Sequence, residues 1–357
     1  MKNKKIVSLI AIAFLAAGCN LLSQNLPAGV VKTVNGGADW RFSNALKGGN
    51  ATGLSGQNIS KLAFDPLNRQ TVYASSFVDG LFKSEDAGAN WSKVLSKIAV
   101  YDFVVNPQDT KVIYAAGFYA DKGKVLKTVD GGGSWTDVPG YTGVNANTPS
   151  LATVRAIALN PLNPNQLVIG TADGNLNKSA DGGLSWQFVK DFKDQINKLV
   201  WQDKIYVLLK SQGLFAATDL GASFNEASAG LGKTNIIGSA GYSPSGISIF
   251  RQLYVDSFAP NLMYLATDKG LYKTVDGKTW NLVNLPVKSD QANVRTVTVS
   301  KSSSNLVFSS VGSTIYKSLD GGQTWQTQGL TTAGYISCLL IDPQMPQIVY
   351  GGVYNTQ

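Results

Sequence analysis

Histidine is absent from the 357 residues. Its absence excludes Ser–His–Asp and Cys–His catalysis and every histidine-ligated metal site. Cysteine occurs only as Cys19 and Cys338, and glutamate only as Glu85 and Glu226. Arginine occupies just five positions. The one N-terminal apolar run, Ile6–Leu15, is too short to span a bilayer. No cofactor and no metal are expected from these residues.

What is present begins with an export signal. Lys2, Lys4 and Lys5 precede the apolar run, which ends in "LAAGC" at Leu15–Cys19. This resembles a bacterial lipobox, implying cleavage before Cys19 and acylation of its thiol. A plain secretory signal is the alternative. The expected organisation is a signal peptide over 1–18, a lipid-anchored tether over 19–28 and one domain over 29–357. The address is then exported and membrane-anchored. With Cys19 acylated, Cys338 has no intrachain disulfide partner, although the compartment would permit one.

A nine-residue phrase recurs: "KTVDGGGSW" at Lys127–Trp135, "KSADGGLSW" at Lys178–Trp186 and "KSLDGGQTW" at Lys317–Trp325. Relaxing it gives seven copies, centred on Asn35, Asp86, Asp130, Asp181, Asp219, Asp276 and Asp320. Six close on tryptophan (Trp40, Trp91, Trp135, Trp186, Trp280 and Trp325), and the copy at Asp219 closes on Phe224. Successive centres lie 51, 44, 51, 38, 57 and 44 residues apart, a period near 47 that matches a propeller blade. Around each copy, short apolar runs alternate with turn residues, as in "ISKLAF-DPLNRQ-TVYASS", which reads as antiparallel strands A to D.

The aspartate accepts backbone N–H bonds in the tight turn between C and D, glycines supply positive φ, and tryptophan wedges between the outer strands. The phrase is therefore scaffold. The chain ends with strands A and B (Ile336–Val353) and begins, past the signal, with strand C and a box (Gly29–Trp40). Joined, they make a seventh blade and leave no free sheet edge. The expected fold is all-β: a seven-bladed propeller of four-stranded antiparallel blades, closed by both termini.

This pattern resembles the BNR/Asp-box repeat family over essentially the whole mature chain. Its members include sialidases, xyloglucan-cleaving glycoside hydrolases built from two propellers, sorting receptors and photosystem II assembly factors. The resemblance thus specifies fold and leaves function open.

Antiparallel order puts the D–A and B–C loops on one face, with the boxes on the other. The variable D–A loops are where function is expected. At the start of each strand A, one register holds Ser60, Tyr101, Arg155, Asn197, Arg251, Arg295 and Ser337. Three of the five arginines fall there, near the axis, where guanidinium forks suit a carboxylate, sulfate or phosphate. The competing reading has each arginine paired with an aspartate or loop carbonyl to close the channel. The lysines at 32, 83, 127, 178, 273 and 317 are spread around the ring by the repeat. The net charge of +8, or +5 without the three signal lysines, therefore makes no patch, and nucleic acid is not an expected partner.

Two motifs stand apart. "ASAGLGKT" (Ala227–Thr234) is Walker-like but lacks the strand–helix context of a phosphate loop. Arg155, Arg251 and Arg295 with Tyr101 and Glu226 resemble a sialidase site, but no Arg-Ile-Pro segment occurs and the blade count is seven, not six. Paired-carboxylate chemistry needs two acids about 5–10 Å apart, and Asp102 and Glu226 are the only candidates near the axis. The expectation is a non-catalytic propeller binding a protein segment, a peptide carboxylate or an anionic glycan through Arg155, Arg251, Arg295, Tyr101 and Asn197. The alternative is a glycoside hydrolase, sialidase-like or polysaccharide-cleaving, using Tyr101, Asp102 and Glu226.

Overall fold

The computed structural model describes residues 27–49, 53–138, 144–145, 148–149, 153–221, 223–229, 231, 246–288, 291–332 and 334–356. The signal segment and Cys19 lie outside them.

Each repeat folds as one antiparallel sheet of four strands, giving seven blades. In blade 1 the strands are Ile59–Phe64, Val72–Ser76, Gly80–Ser84 and Ser92–Leu95, in spatial order. The second strand is buried throughout, which explains its unbroken run of apolar and small residues. The outermost strand is exposed over its first half. Strand C opens on Gly80, whose φ is +85°; a Cβ there would sit 1.9 Å from the carbonyl oxygen of Leu95, so only glycine fits.

The innermost strands of blades 1 to 7 are Ile59–Phe64, Ala99–Val105, Val154–Leu159, Ile196–Trp201, Phe250–Val255, Val294–Ser300 and Gly334–Ile341. Each packs beside the next, and the last packs beside the first. Seven separate apolar clusters fill the seven gaps between neighbouring blades. In one of them Tyr73, Leu81 and Leu95 of blade 1 meet Val100, Phe103 and Ile113 of blade 2. Blade-to-blade burial of this kind is the main cohesive term.

Blade 7 is composite, in the order Arg41–Phe42, Gly29–Thr33, Val349–Asn355, Gly334–Ile341. Five register pairs, from Gly29↔Val353 to Thr33↔Val349, join the two ends of the chain. Ala28, placed in the tether by sequence, is fully buried, and its amide donates to the Ser55 carbonyl. The folded body thus begins at least one residue before Gly29.

The repeated turns are scaffold. Asp86 accepts the Asn90 amide at 2.8 Å and the Ser84 hydroxyl at 2.8 Å, and Asn35 does the same work with Asp39 and Thr33. The weakest copy, at Asp219, keeps a bond from the Gly221 amide. Tryptophan does not wedge within its own blade as expected. The indole of Trp135 donates to Val94 of the preceding blade, Trp280 to Ala227, and Trp91 to Ser43 of the composite blade. The ring lies over the inter-blade gap because its apolar body is buried there; Trp325 packs in such a gap too but donates to Gly322 of its own turn.

Candidate functional site

Each innermost strand carries one irregularity at the same place. Pairing with the second strand skips a single residue: Ser60, Tyr101, Arg155, Asn197, Arg251, Arg295 and Ser337. These are the seven residues of the register identified in the sequence. Each is a β-bulge, and a bulge re-aims the side chain it inserts. All seven line one axial pocket of about 310 Å³.

The bulge has a sequence signal. The apolar pairs Ile59/Leu62, Val100/Phe103, Val154/Ile157, Ile196/Leu199, Phe250/Leu253, Val294/Val297 and Ile336/Leu339 are all buried and all three residues apart. A regular strand repeats every two residues, so an odd spacing on one face requires an extra residue between.

The bulge side chains do different things. Ser60 and Ser337 donate to backbone carbonyls of neighbouring strands at 2.6 Å, and Asn197 donates to Phe250 at 2.7 Å, sealing blade to blade. The Arg155 guanidinium stands 4.2 Å from the centre of the Tyr101 ring, and Arg295 stands 4.0 Å from that of Tyr335. Arg251 donates from Nε to Asn293 at 3.0 Å. Among the described residues none of the three forms an ion pair with a carboxylate, unlike Arg69, which pairs with Asp342 at 3.0 Å. Burial pushes Arg155 and Arg251 below the ordinary guanidinium value, and the charge of Arg295 adds to the shift at Arg251.

One residue further along, Asp102 is 3% exposed and lies between two lysines. Lys61 is 2.6 Å from one oxygen and Lys198 is 3.5 Å from the other. Burial alone would raise its pKa, but the fields of Lys198 and Lys61 and the Lys61 hydrogen bond hold it below the usual carboxylate range. Burial lowers Lys61 to about 8 against the raising pull of Asp102. Cys338 also lines the pocket, and its buried thiol is pushed up to about 11, so it stays protonated.

A wall of rings completes the mouth; the sequence pointed to Tyr101 in it but not to Phe77, Tyr335 or Tyr354. Tyr101 meets Phe77 at 5.3 Å, Phe77 meets Tyr354 at 5.5 Å, and Tyr354 stacks on Tyr335 at 5.0 Å with planes 10° apart. With Arg155 and Arg295 at its two ends, this makes one continuous arc. Phe77, Tyr335 and Tyr354 sit at or next to strand ends, and no periodic signal marks them.

Glu226 is not brought to this site. It lies on the short outermost strand Asn225–Glu226 of blade 4, exposed and paired with Phe215. The sequence-based pairing of Glu226 with Tyr101 or Asp102 is therefore corrected: a D strand sits at the rim, a whole sheet away from the axis. Asp102 is the single carboxylate lining the pocket among the described residues. Half of the Walker-like segment Ala227–Thr234 lies outside the described residues.

No family model matches the chain. A xyloglucanase from Hypocrea jecorina is 28% identical over 39% of this chain and 18% of its own length. Xyloglucanase Xgh74A from Acetivibrio thermocellus is 24% identical over 53% of this chain and 24% of its own. The chain thus spans about a quarter or less of these curated relatives. Among solved structures, a GH74 xyloglucanase from Xanthomonas campestris superposes with a TM-score of 0.65 at 18% identity, covering 88% of this chain and 52% of that one. YCF48 bound to a D1 peptide gives 0.59 at 15% identity over 84% and 93%. The seven-bladed propeller is therefore shared with both groups. The sequence relatives overturn the non-catalytic expectation: the curated proteins this chain matches are named as glycan-cleaving enzymes.

Proposed function

We propose that this chain is a glycoside hydrolase, an Asp-box propeller exported and held at a membrane by a lipid on Cys19, that cuts a polysaccharide at the axial pocket. The observation carrying this reading is the sequence match to xyloglucanases over up to 53% of the chain. Two features of the pocket support it. Its volume, at the lower end for small-ligand sites, suits a chain end or side branch of a glycan. Phe77, Tyr101 and Tyr335 in its lining offer apolar surface to the C–H face of a sugar.

Asp102 is the residue assigned to the chemistry. Two lysines keep it ionised, which suits a base, a nucleophile or a counter-charge to an oxocarbenium-like transition state. The proton donor is a separate role. Tyr101, at the adjoining position and beneath Arg155, is the hydroxyl assigned to it.

The test is release of reducing ends by the full chain from xyloglucan and a panel of other soluble polysaccharides. Asp102→Asn should lower the rate roughly a hundredfold or more. Because that change leaves two part-buried lysines facing an amide, Tyr101→Phe is the second variant, checked for native circular dichroism. A full chain that releases no reducing ends from any polymer in the panel would sink the reading.

A further inference from the structure

We propose that the face carrying the axial pocket is turned toward the membrane that holds the lipid on Cys19, and that the short tether sets this orientation. This deepens the reading above and rests on it for the anchor alone; the chemistry at the pocket does not enter.

Strand direction carries the argument. The first strand of the folded body, Gly29–Thr33, runs into the turn at Asn35. That turn sits beside the A–B turn of the same blade, where the Gly36 amide donates to the Gln347 carbonyl at 2.8 Å. The Thr33 end of the strand therefore lies on the box face, and the Gly29 end on the opposite face. Register gives the same answer. Gly29 pairs with Val353, and Val353 pairs with Ile336, the neighbour of the bulge residue Ser337. The chain thus enters the disc level with the layer of bulges that lines the pocket. Its entry is pinned there. Asn44 accepts the Val30 amide at 2.8 Å and donates to the Ala28 carbonyl at 2.9 Å, while the Ala28 amide donates to the Ser55 carbonyl at 2.9 Å.

Length decides between the two faces. Only residues 20–27 separate Cys19 from Ala28. At about 3.5 Å per residue they reach about 30 Å when fully extended, and every other conformation reaches less. Bringing the pocket face to the bilayer lies well within that reach. Laying the box face down does not. The same residues would first have to cross the outermost strand, Arg41–Phe42, about 5 Å further out, and then run down about 17 Å of strand with a turn at each end. That route uses nearly the whole reach, and a chain held near full stretch gives up most of its conformational freedom. Leu67, Leu162 and Phe258, exposed at the tips of A–B turns, make the box face the rival contact, and the tether turns them away from the membrane. A ligand then enters the pocket through the gap between disc and bilayer.

Fluorescence quenching tests this without requiring turnover. The lipidated full chain is placed in phosphatidylcholine vesicles containing a lipid with a nitroxide on its headgroup. Single labels go on Val78→Cys and Lys210→Cys, in the B–C turns of blades 1 and 4, and on Leu162→Cys and Phe258→Cys on the box face, all four at exposed positions. Cys338 is buried and does not compete for the label. Both pocket-face labels should lose fluorescence and both box-face labels should keep it. An insertion of about 15 Gly and Ser residues before Leu26 should even out the four signals. Quenching on the box face equal to or above that on the pocket face overturns the inference. So does quenching at Val78 alone, since blade 1 adjoins the composite blade and this marks a disc standing on its edge. A contrast that survives the insertion removes the tether as its cause and overturns the inference as well. A chain that does not stay on the vesicles sinks the anchor, and the inference with it. A chain that stays and orients as expected but cuts no polysaccharide sinks only the hydrolase reading.

Discussion

Asp181 accepts the Ser185 amide at 2.9 Å, the Ser185 hydroxyl at 2.5 Å and the Ser179 hydroxyl at 2.8 Å. These bonds favour the charged carboxylate and hold its pKa down at about 2. Hydrogen bonds of the same kind hold Asp130, Asp276 and Asp320 lower still. Unfolding returns each to the ordinary value near about 4. The unfolded chain therefore binds more protons between those values. The stabilisation is complete above about pH 4 and is lost as pH falls through the folded values. Denaturant midpoints should drop steeply from pH 4 to pH 2, and Asp181→Asn should make that drop shallower. A midpoint flat across the window would remove these carboxylates from the stability argument. The amide is a fair replacement, since Asn35 already fills the equivalent position in blade 7. At this scale much was legible: turn aspartates repeat, and rare arginines in one register stand out. Phe77, Tyr335 and Tyr354 were not, because each occurs once and no repeat marks it.

Between elements, the lysines of the repeat find a role that their spacing alone does not reveal. Lys273 and Tyr264, side by side on two strands of blade 5, both donate to the Gly321 carbonyl in the turn of blade 6, at 2.8 and 3.1 Å. Lys127 and Tyr114 do the same to Gly182, at 3.3 and 3.0 Å, and Lys32 and Tyr350 to Ala87, both at 2.7 Å. Each ammonium also lies over its tyrosine ring, between 5.1 and 5.4 Å from the centre. The turns that look like independent hairpins in the sequence are therefore clamps from one blade to the next. Tyr264→Phe should cost about 1 kcal/mol, and the double change with Lys273→Met should cost more than either alone, since the second leaves the buried carbonyl without a donor. Thermal unfolding of the three variants measures this, and an unshifted melting temperature in the double variant would count against the clamp. Sequence periodicity finds strands because each blade obeys it. It does not find contacts between blades, which join residues about 50 positions apart, nor the axial bulges unless an odd spacing is given weight.

At the scale of the molecule, the site and the ring closure are one problem. The pocket has no single-blade owner: blades 1 to 7 each insert one bulge residue into it, so its shape exists only while the ring is shut. The ring shuts through Val349–Asn355, held between Gly29–Thr33 on one side and Gly334–Ile341 on the other. Val353 is fully buried there and belongs to the apolar cluster joining blades 6 and 7. An aspartate in its place would have no partner in that cluster, and burying an unpaired carboxylate costs several kcal/mol. Val353→Asp should therefore release the strand, expose the edges of its two neighbours and lower the midpoint of unfolding. Axial-pocket binding should be lost at lower denaturant than the near-ultraviolet signal of the tryptophans in blades 2 to 5, because those blades keep their own inter-blade cores. Val168→Asp, at a fully buried site between blades 3 and 4 and away from the closing strand, serves as the comparison. If both variants lose binding and tryptophan signal together, the molecule unfolds as one cooperative unit and the closing strand has no special hold on the site. If Val353→Asp alone separates the two signals, then the closing strand controls the pocket directly.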